Sequence, residues 1–241
     1  MISVCIATYN GEKYIKEQVQ SILTQLNDDD EVIISDDNSN DSTIKIVKNL
    51  NDSRIKIITN KYEKGYTKNF QNAIENAKGD YIFLSDQDDI WKENKKDTML
   101  FYLKKGYDFV VSDAEIVNEK LELIYHSFYK FRNSKPGFYM NILRFSYIGC
   151  CMAFTKNVKK LILPFPNNQK YCTHDNWIYI ISSYFFKIYH INEQLILYRR
   201  HENNTSLGGK KSSNNIIFKT IYRIYIIYHL FIRIMRHKNE Y

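Results

Sequence analysis

Asp86, Asp88 and Asp89 crowd the end of a short apolar run, Tyr81-Ile82-Phe83-Leu84, which Gly79 leads in. Such a run reads as a buried strand, so the carboxylates stand at its carboxyl end. Burying one charge near a core is costly, and three like charges repel one another. A divalent cation removes both costs. Hard cations such as Mg²⁺, and the closely related Mn²⁺, take oxygen ligands, often one or two carboxylates together with the phosphates of a ligand. Asp-x-Asp alone is a common triplet, and a solvated acidic turn capping the following helix would read the same way. The context has to decide between the two.

The elements that would position these residues can be read from periodicity. Ile2 to Thr8 is a buried strand, turned by Tyr9-Asn10-Gly11. Tyr14, Ile15, Val19, Ile22, Leu23 and Leu26 then recur at helical spacing. Glu31 to Ser35 is a second strand ending in Asp36-Asp37-Asn38, and a helix carrying Ile44, Val47 and Leu50 follows. Arg54 to Thr59 is a third strand. A helix from 67 to 77 precedes the acidic strand, another from 93 to 105 follows it, and Tyr107 to Ser112 is a fifth strand. Strands alternating with helices of this length predict parallel βαβ units, hence an α/β fold. In open α/β sheets the ligand lies beyond the carboxyl ends of the strands. Thr8-Tyr9-Asn10, Asp36-Asp37-Asn38 and Asp86-Gln87-Asp88 all fall there, which favours a site over a solvated turn. Neither Gly-x-x-x-x-Gly-Lys nor Gly-x-Gly-x-x-Gly occurs, so the backbone is not built to cradle phosphates alone. A metal would have to neutralise them. Asp36 to Asp41 is not an EF-hand loop, because its sixth and twelfth positions are Asp41 and Val47 instead of Gly and Glu.

The second half is less regular. Residues 120–145 are aromatic and mixed in charge, with Pro136-Gly137 as a turn, and are expected to form a loop over the site. Tyr147 to Phe154 is apolar, and Pro164 and Pro166 break the next helix. Cys172-Thr173-His174-Asp175-Asn176-Trp177 opens a helix that Thr173 or Asp175 could cap. Gln194 to Tyr198 reads as a short strand, followed by Arg199-Arg200-His201-Glu202-Asn203-Asn204 and a polar linker over 210–215. Asp175, at a helix start beside a polar stretch and flanked by His174 and Trp177, is a candidate general base. A simple cap at Asp175 is the rival reading, and Asp113 and Glu115, at the end of the fifth strand, are expected to touch a ligand or metal.

The 241 residues suit one domain with an appendage, and the net charge is +7. Most of it lies in 208–241, with seven Lys/Arg and one Glu, which points to an anionic surface as partner. Within 216–236, Lys219, Arg223, His229, Arg233 and Arg236 share an arc of about 140°, the mark of an amphipathic helix. No run there approaches the roughly 20 apolar residues of a membrane span, so the expectation is a helix lying on a membrane. A helix packed on the body is the alternative. Nucleic acid is the weaker partner, since aliphatics interleave with the basic residues. Cys5, Cys150, Cys151 and Cys172 form no Cys-x-x-Cys pair and the first strand starts at Ile2, so a cytoplasmic setting is expected.

Taken together, these motifs resemble the family 2 glycosyltransferases of GT-A (Rossmann-like) fold. Val4 to Gly11 looks like that family's first strand and nucleotide loop, Asp36 to Ser39 like its second strand end, and Asp86 to Trp91 like its metal motif. Residues 174–177 and 198–204 resemble the bacterial polysaccharide branch with rhamnosyl- and galactosyltransferases. The resemblance implies a mixed, mainly parallel sheet flanked by helices. It divides the chain into a nucleotide-sugar half (1–115), an acceptor half of the same domain (116–207) and a basic helical tail (208–241). It implies donor contacts from Ala7, Thr8, Tyr9, Asp37, Asp86 and Gln87, with Mg²⁺ or Mn²⁺ on Asp88 and Asp86. It also implies acceptor or diphosphate contacts from His174, Trp177, Arg199, Arg200 and His201, and catalysis by Asp175. The implied reaction is an inverting transfer of one sugar from a UDP or dTDP donor to a glycan acceptor, lipid-linked and reached from the inner face of the membrane. The tail lacks the spanning helices and the Gln-x-x-Arg-Trp motif of the processive synthases. A catalytically silent nucleotide-sugar or metal binder, or a metal-dependent nucleotidyltransferase, could use the same acidic strand end.

Overall fold

A computed structural model describes residues 1–202 and 215–239. The chain runs β1 (Ile2–Thr8), α1 (Ile15–Leu23), β2 (Glu31–Asp36), α2 (Thr43–Lys48), β3 (Ile55–Thr59), α3 (Tyr66–Asn76), β4 (Tyr81–Ser85), β5 (Ile90–Trp91) and α4 (Lys95–Lys104). It continues with β6 (Phe109–Val117), β7 (Leu123–Tyr125), α5 (Phe128–Arg132), α6 (Phe138–Leu143), β8 (Met152–Thr155), α7 (Lys156–Ile162), α8 (His174–Phe185), β9 (Ile188–Arg199) and α9 (Ile216–Asn239). The linker expected over 210–215, apart from Asn215, and Asn203-Asn204 lie outside the described residues.

The strands form one nine-stranded sheet in the order β3-β2-β1-β4-β8-β6-β9-β5, with β7 on β6. β1 to β4 are parallel, as the βαβ reading required. Their registers put Thr8 opposite Asp36 and Ile6 opposite Ser85, which brings the polar strand ends to one edge. Both faces of β1, β2 and β4 are covered, whereas the edge strand β3 is only half-buried. Val4, Ile6, Val32, Ile34 and Phe83 meet Ile15, Val19 and Ile22 of α1 and Met99 and Leu103 of α4 on one side. Cys5, Ile33, Ile82 and Leu84 meet Phe70 and Ile74 of α3 and the buried Trp177, Ile178, Ile180 and Ile181 of α8 on the other.

The second half departs from the expected pattern. β6 does not extend the parallel series on β4, because β8 lies between them, antiparallel to both. β6 also runs on to Val117, and β9 is longer than Gln194 to Tyr198, starting at Ile188. The two-residue β5, just after the acidic cluster, pairs with Leu197 and Ile196 of β9. That pairing ties the acidic loop to the chain segment carrying Arg199 to His201. Residues 120–145 are not a plain loop but carry β7, α5 and α6.

The tail helix is also turned differently from the expectation. Ile226 and Leu230 of α9 are buried against the body, and two arginines of the basic arc, Arg223 and Arg233, reach inward to carbonyls. Arg223 donates to the Leu143 carbonyl and Arg233 to those of Leu163 and Pro164. The outward face is apolar. No described helix is long and apolar enough to cross a membrane.

Candidate active site

The loop after β1 is held by one side chain from the loop after β4. Gln87 accepts from Thr8 Oγ1 at 2.6 Å and from the Tyr9 amide at 2.9 Å, and its Nε2 donates to the Tyr9 carbonyl at 3.1 Å. Gly11 is packed so closely on the Gln87 amide that a Cβ would collide with it. Gln87 is therefore the clamp between the two loops in this conformation. Ala7 is half-buried below them, and the Tyr9 ring is exposed with Lys64 Nζ 3.6 Å from its centre. After β2, the Asp37 carboxylate is 4% exposed and accepts from Asn60 Nδ2 and the Gly65 amide, both at 2.8 Å. Each oxygen keeps a second lone pair for another donor.

The acidic cluster is strained electrostatically. Asp89 is fully buried; its Oδ1 accepts from the Arg199 amide at 3.0 Å, and its Oδ2 has no hydrogen-bond partner among the described residues. Burial, then the charges of Asp88 and Asp175, push the Asp86 carboxyl up to about 7. Ligand atoms of Asp86, Asp89 and Cys150 lie within 4.8 Å of one another. The Cys150 thiol is pushed well above its usual range by burial, which disfavours a thiolate ligand for a soft metal. Lys95 lies fully buried behind this group, donating to the Cys150 carbonyl at 2.6 Å and 4.3 Å from the centre of the Trp91 ring. Burial brings its ammonium down to about 8. Asp88 Oδ2 meets His201 Nε2 at 2.8 Å. The oxygens of Asp86 and Asp89, one of them without a hydrogen-bond partner among the described residues, fit a hard divalent cation such as Mg²⁺ or Mn²⁺, while Asp88 and His201 pair with each other beside that group.

Asp175 sits in the first turn of α8 and is half-buried; its Oδ1 accepts from the Asn176 amide at 2.8 Å. It lies two residues inside the cap, which is Thr173, whose side chain makes no capping bond. A residue absent from the sequence reading joins it. The Tyr66 hydroxyl is pushed up to about 12, first by burial and then by the charges of Asp175 and Asp86, so it stands within electrostatic reach of both. No motif marks Tyr66; its only signal is that it opens α3 directly after Gly65, at the same sheet edge.

Three of the proposed acceptor or diphosphate contacts are corrected. Trp177 is fully buried, its indole N–H donating to the Ile162 carbonyl at 2.8 Å, so neither ring face can stack on a sugar. His174 is 5% exposed, stacks on Phe70 at 4.1 Å and packs on Gly149, and burial lowers its pKa. It is a neutral core histidine that shapes the wall behind Asp175. Arg199 is a brace: its side chain is 4% exposed and donates to Glu17 at 2.6 Å, the Asp88 carbonyl at 2.8 Å and the Glu119 carbonyl at 3.0 Å. Arg200 and His201 do line an open cleft of about 510 Å³ with Asn118, Glu119 and Glu122. Asp113 and Glu115 lie within β6 and not at its end. Asp113 is 2% exposed and occupied by Ser127, Tyr129 and Gln194, while Glu115 pairs with Lys92 at 3.3 Å.

The sequence profile of the family described as Glycosyl transferase family 2 matches residues 3–163. The chain is similar to the dTDP-rhamnosyl transferase RfbG of Shigella flexneri, 32% identical over 239 residues, covering 90% of this chain and 77% of that one. It is also similar to the UDP-Glc:alpha-D-GlcNAc-diphosphoundecaprenol beta-1,3-glucosyltransferase WfgD of Escherichia coli, 27% identical over 119 residues. That match covers 49% of this chain and 47% of WfgD. Among solved structures, S. aureus TarS 1-349 in complex with UDP-GlcNAc aligns with a TM-score of 0.67 at 21% identity, over 84% of this chain and 59% of that one. This last likeness is one of fold, and the chain spans less than two thirds of TarS 1-349 and of WfgD.

Proposed function

The chain belongs to glycosyl transferase family 2, and from that premise we propose that it moves one sugar from a UDP- or dTDP-sugar to a lipid-linked glycan acceptor, inverting the anomeric centre, in bacterial surface polysaccharide synthesis. The observation that carries this reading is the crowding of carboxylates at the sheet edge: Asp86 held up to about 7 by burial, Asp88 and Asp175, beside a buried Asp89 oxygen with no hydrogen-bond partner among the described residues. A donor diphosphate with a divalent cation is the ligand that such a group suits, and the loops after β1 and β2 border it. The names of RfbG and WfgD support a dTDP- or UDP-linked donor and, for WfgD, a diphosphoundecaprenol acceptor.

In this reading Ala7, Thr8, Tyr9 and Asp37 receive the nucleotide, with Asp37 accepting from the base through its remaining lone pairs. Gln87 keeps the nucleotide loop in place. Asp86 and Asp88, with the buried Asp89 carboxylate beside them, would hold Mg²⁺ or Mn²⁺, which when bound would offset the charge developing on the departing diphosphate. Asp175 removes the proton from the acceptor hydroxyl. The acceptor oxygen then bonds to the anomeric carbon as the bond to the diphosphate breaks on the opposite face, which inverts the centre in one displacement. Arg200 contributes from the cleft rim. The enzyme works at the inner face of the cell membrane, where a lipid-linked acceptor is found.

A panel of UDP- and dTDP-sugars, offered with Mg²⁺ or Mn²⁺ and an undecaprenyl-diphosphate-linked sugar, tests the proposal. One donor should release its nucleoside diphosphate and lengthen the acceptor, and both EDTA and Asp88→Ala should abolish this. Transfer undiminished without metal, or no transfer from any donor, refutes it.

A further inference from the structure

The outer face of α9 is the largest feature that the reaction does not use. Ile217, Ile221, Ile224, Tyr228, Phe231 and Met235 recur every three or four residues, and each is between 43% and 65% exposed. Beside them, α6 exposes Tyr139 (80%), Met140 (45%) and Leu143 (60%), and the bond from Arg223 to the Leu143 carbonyl sets the two helices side by side. Contiguous apolar surface on this scale marks an interaction site.

Charge decides what covers it. α9 carries Lys219, Arg223, Arg233, Arg236 and Lys238 and no Asp or Glu, and Arg144, just past α6, is exposed. The three-four spacing is also that of a coiled-coil seam, but a second copy would set one basic helix against another with no acid to pair. An anionic bilayer supplies both an apolar phase for the stripe and negative charge for its flanks.

We propose that α6 and α9 form a membrane seat: the apolar stripe inserts among the outermost acyl-chain segments of an anionic bilayer, and Arg144, Arg236 and Lys238 meet the headgroups. The inner face of the same helix holds the segment that leads into Asp175. Tyr225 Oη accepts from the Asn168 amide at 3.0 Å, and Arg233 holds the Leu163 and Pro164 carbonyls. Seating α9 therefore brings the Asp175 loop to the lipid surface. That consequence rests on the transfer reading above, whereas the seat itself does not.

The test is sedimentation of the full chain with phosphatidylcholine vesicles, with and without phosphatidylglycerol, comparing wild type with Ile224→Ser/Phe231→Ser. Both positions are exposed, so the variant should keep its circular dichroism and melting temperature. Wild type should bind the mixed vesicles, and the variant at least about tenfold more weakly. Failure of wild type to bind, or equal binding by the variant, overturns the seat whatever the catalytic result. A stable dimer that the same substitutions dissociate overturns it too, in favour of a second copy. Wild-type vesicle binding with no sugar transfer would retain the seat and refute only the transfer reading.

Discussion

Arg199→Met separates a brace from a diphosphate ligand. In the wild type the guanidinium donates to the Glu17 carboxylate and to the carbonyls of Asp88 and Glu119, with its side chain 4% exposed. Glu17 is 53% exposed, so its carboxylate rehydrates at little cost when the arginine is lost. The two carbonyls each lose a hydrogen bond to a charged donor, worth about 1.5–3 kcal/mol apiece. The methionine stem retains most of the packing against Tyr14, over whose ring the guanidinium sits at 4.6 Å. The expected loss is therefore roughly 3–6 kcal/mol, which for a chain of this length lowers the melting temperature by about 6–24 °C. Thermal melting of the metal-free, donor-free protein reads this directly, since no ligand contributes to the signal. A variant that melts with wild type yet fails to bind donor would refute the brace and return Arg199 to the diphosphate.

The other perturbations follow the same logic. Trp177→Ala empties a fully buried site and should cost about 3–5 kcal/mol, whereas Trp177→Phe should keep activity; a stable but inactive Phe variant would revive sugar stacking at this position. Asp86, raised to about 7, keeps a proton in the folded metal-free chain between roughly pH 4 and 7 that the unfolded chain has lost. Its contribution to stability therefore falls as pH rises through that window, and Mn²⁺ affinity rises through it. His190, held down to about 4 by burial, acts in the opposite direction on stability. Melting in EDTA across this range should thus show a falling component that Asp86→Asn removes; identical profiles for the two proteins would contradict the coupling.

What the sequence made legible follows from how local each feature is. β1 to β4 and their helices were readable because β1, β2 and β4 are buried on both faces, the edge strand β3 alternates, and each helix shows its own apolar stripe, as Ile15, Val19 and Ile22 do. The position of β8 between β4 and β6, and the pairing of β5 with β9, depend on partners far along the chain, and two residues carry no periodicity. The sheet arrangement is nevertheless the GT-A one that the motifs implied. At the site, carboxylates at a strand end announce themselves by type and place. Residue type does not say which way a side chain points, so Trp177 and Arg199 looked like ligand contacts and are core and brace. The tail shows the same limit. Its periodicity revealed two faces, but long arginine side chains can bury their stems and still reach carbonyls, which let the basic face pack inward.

Replacing Asp175 by Asn tests the central claim most directly. Asn preserves shape and can still accept from the Asn176 amide, as Asp175 Oδ1 does at 2.8 Å, but it cannot take a proton from a hydroxyl. With an identified donor and acceptor at saturating metal, Asp175→Asn should melt near wild type, bind donor normally and turn over at least about a hundredfold more slowly. Turnover within a few-fold of wild type would contradict the account and leave Asp175 as a carboxylate that only steadies the first turn of α8.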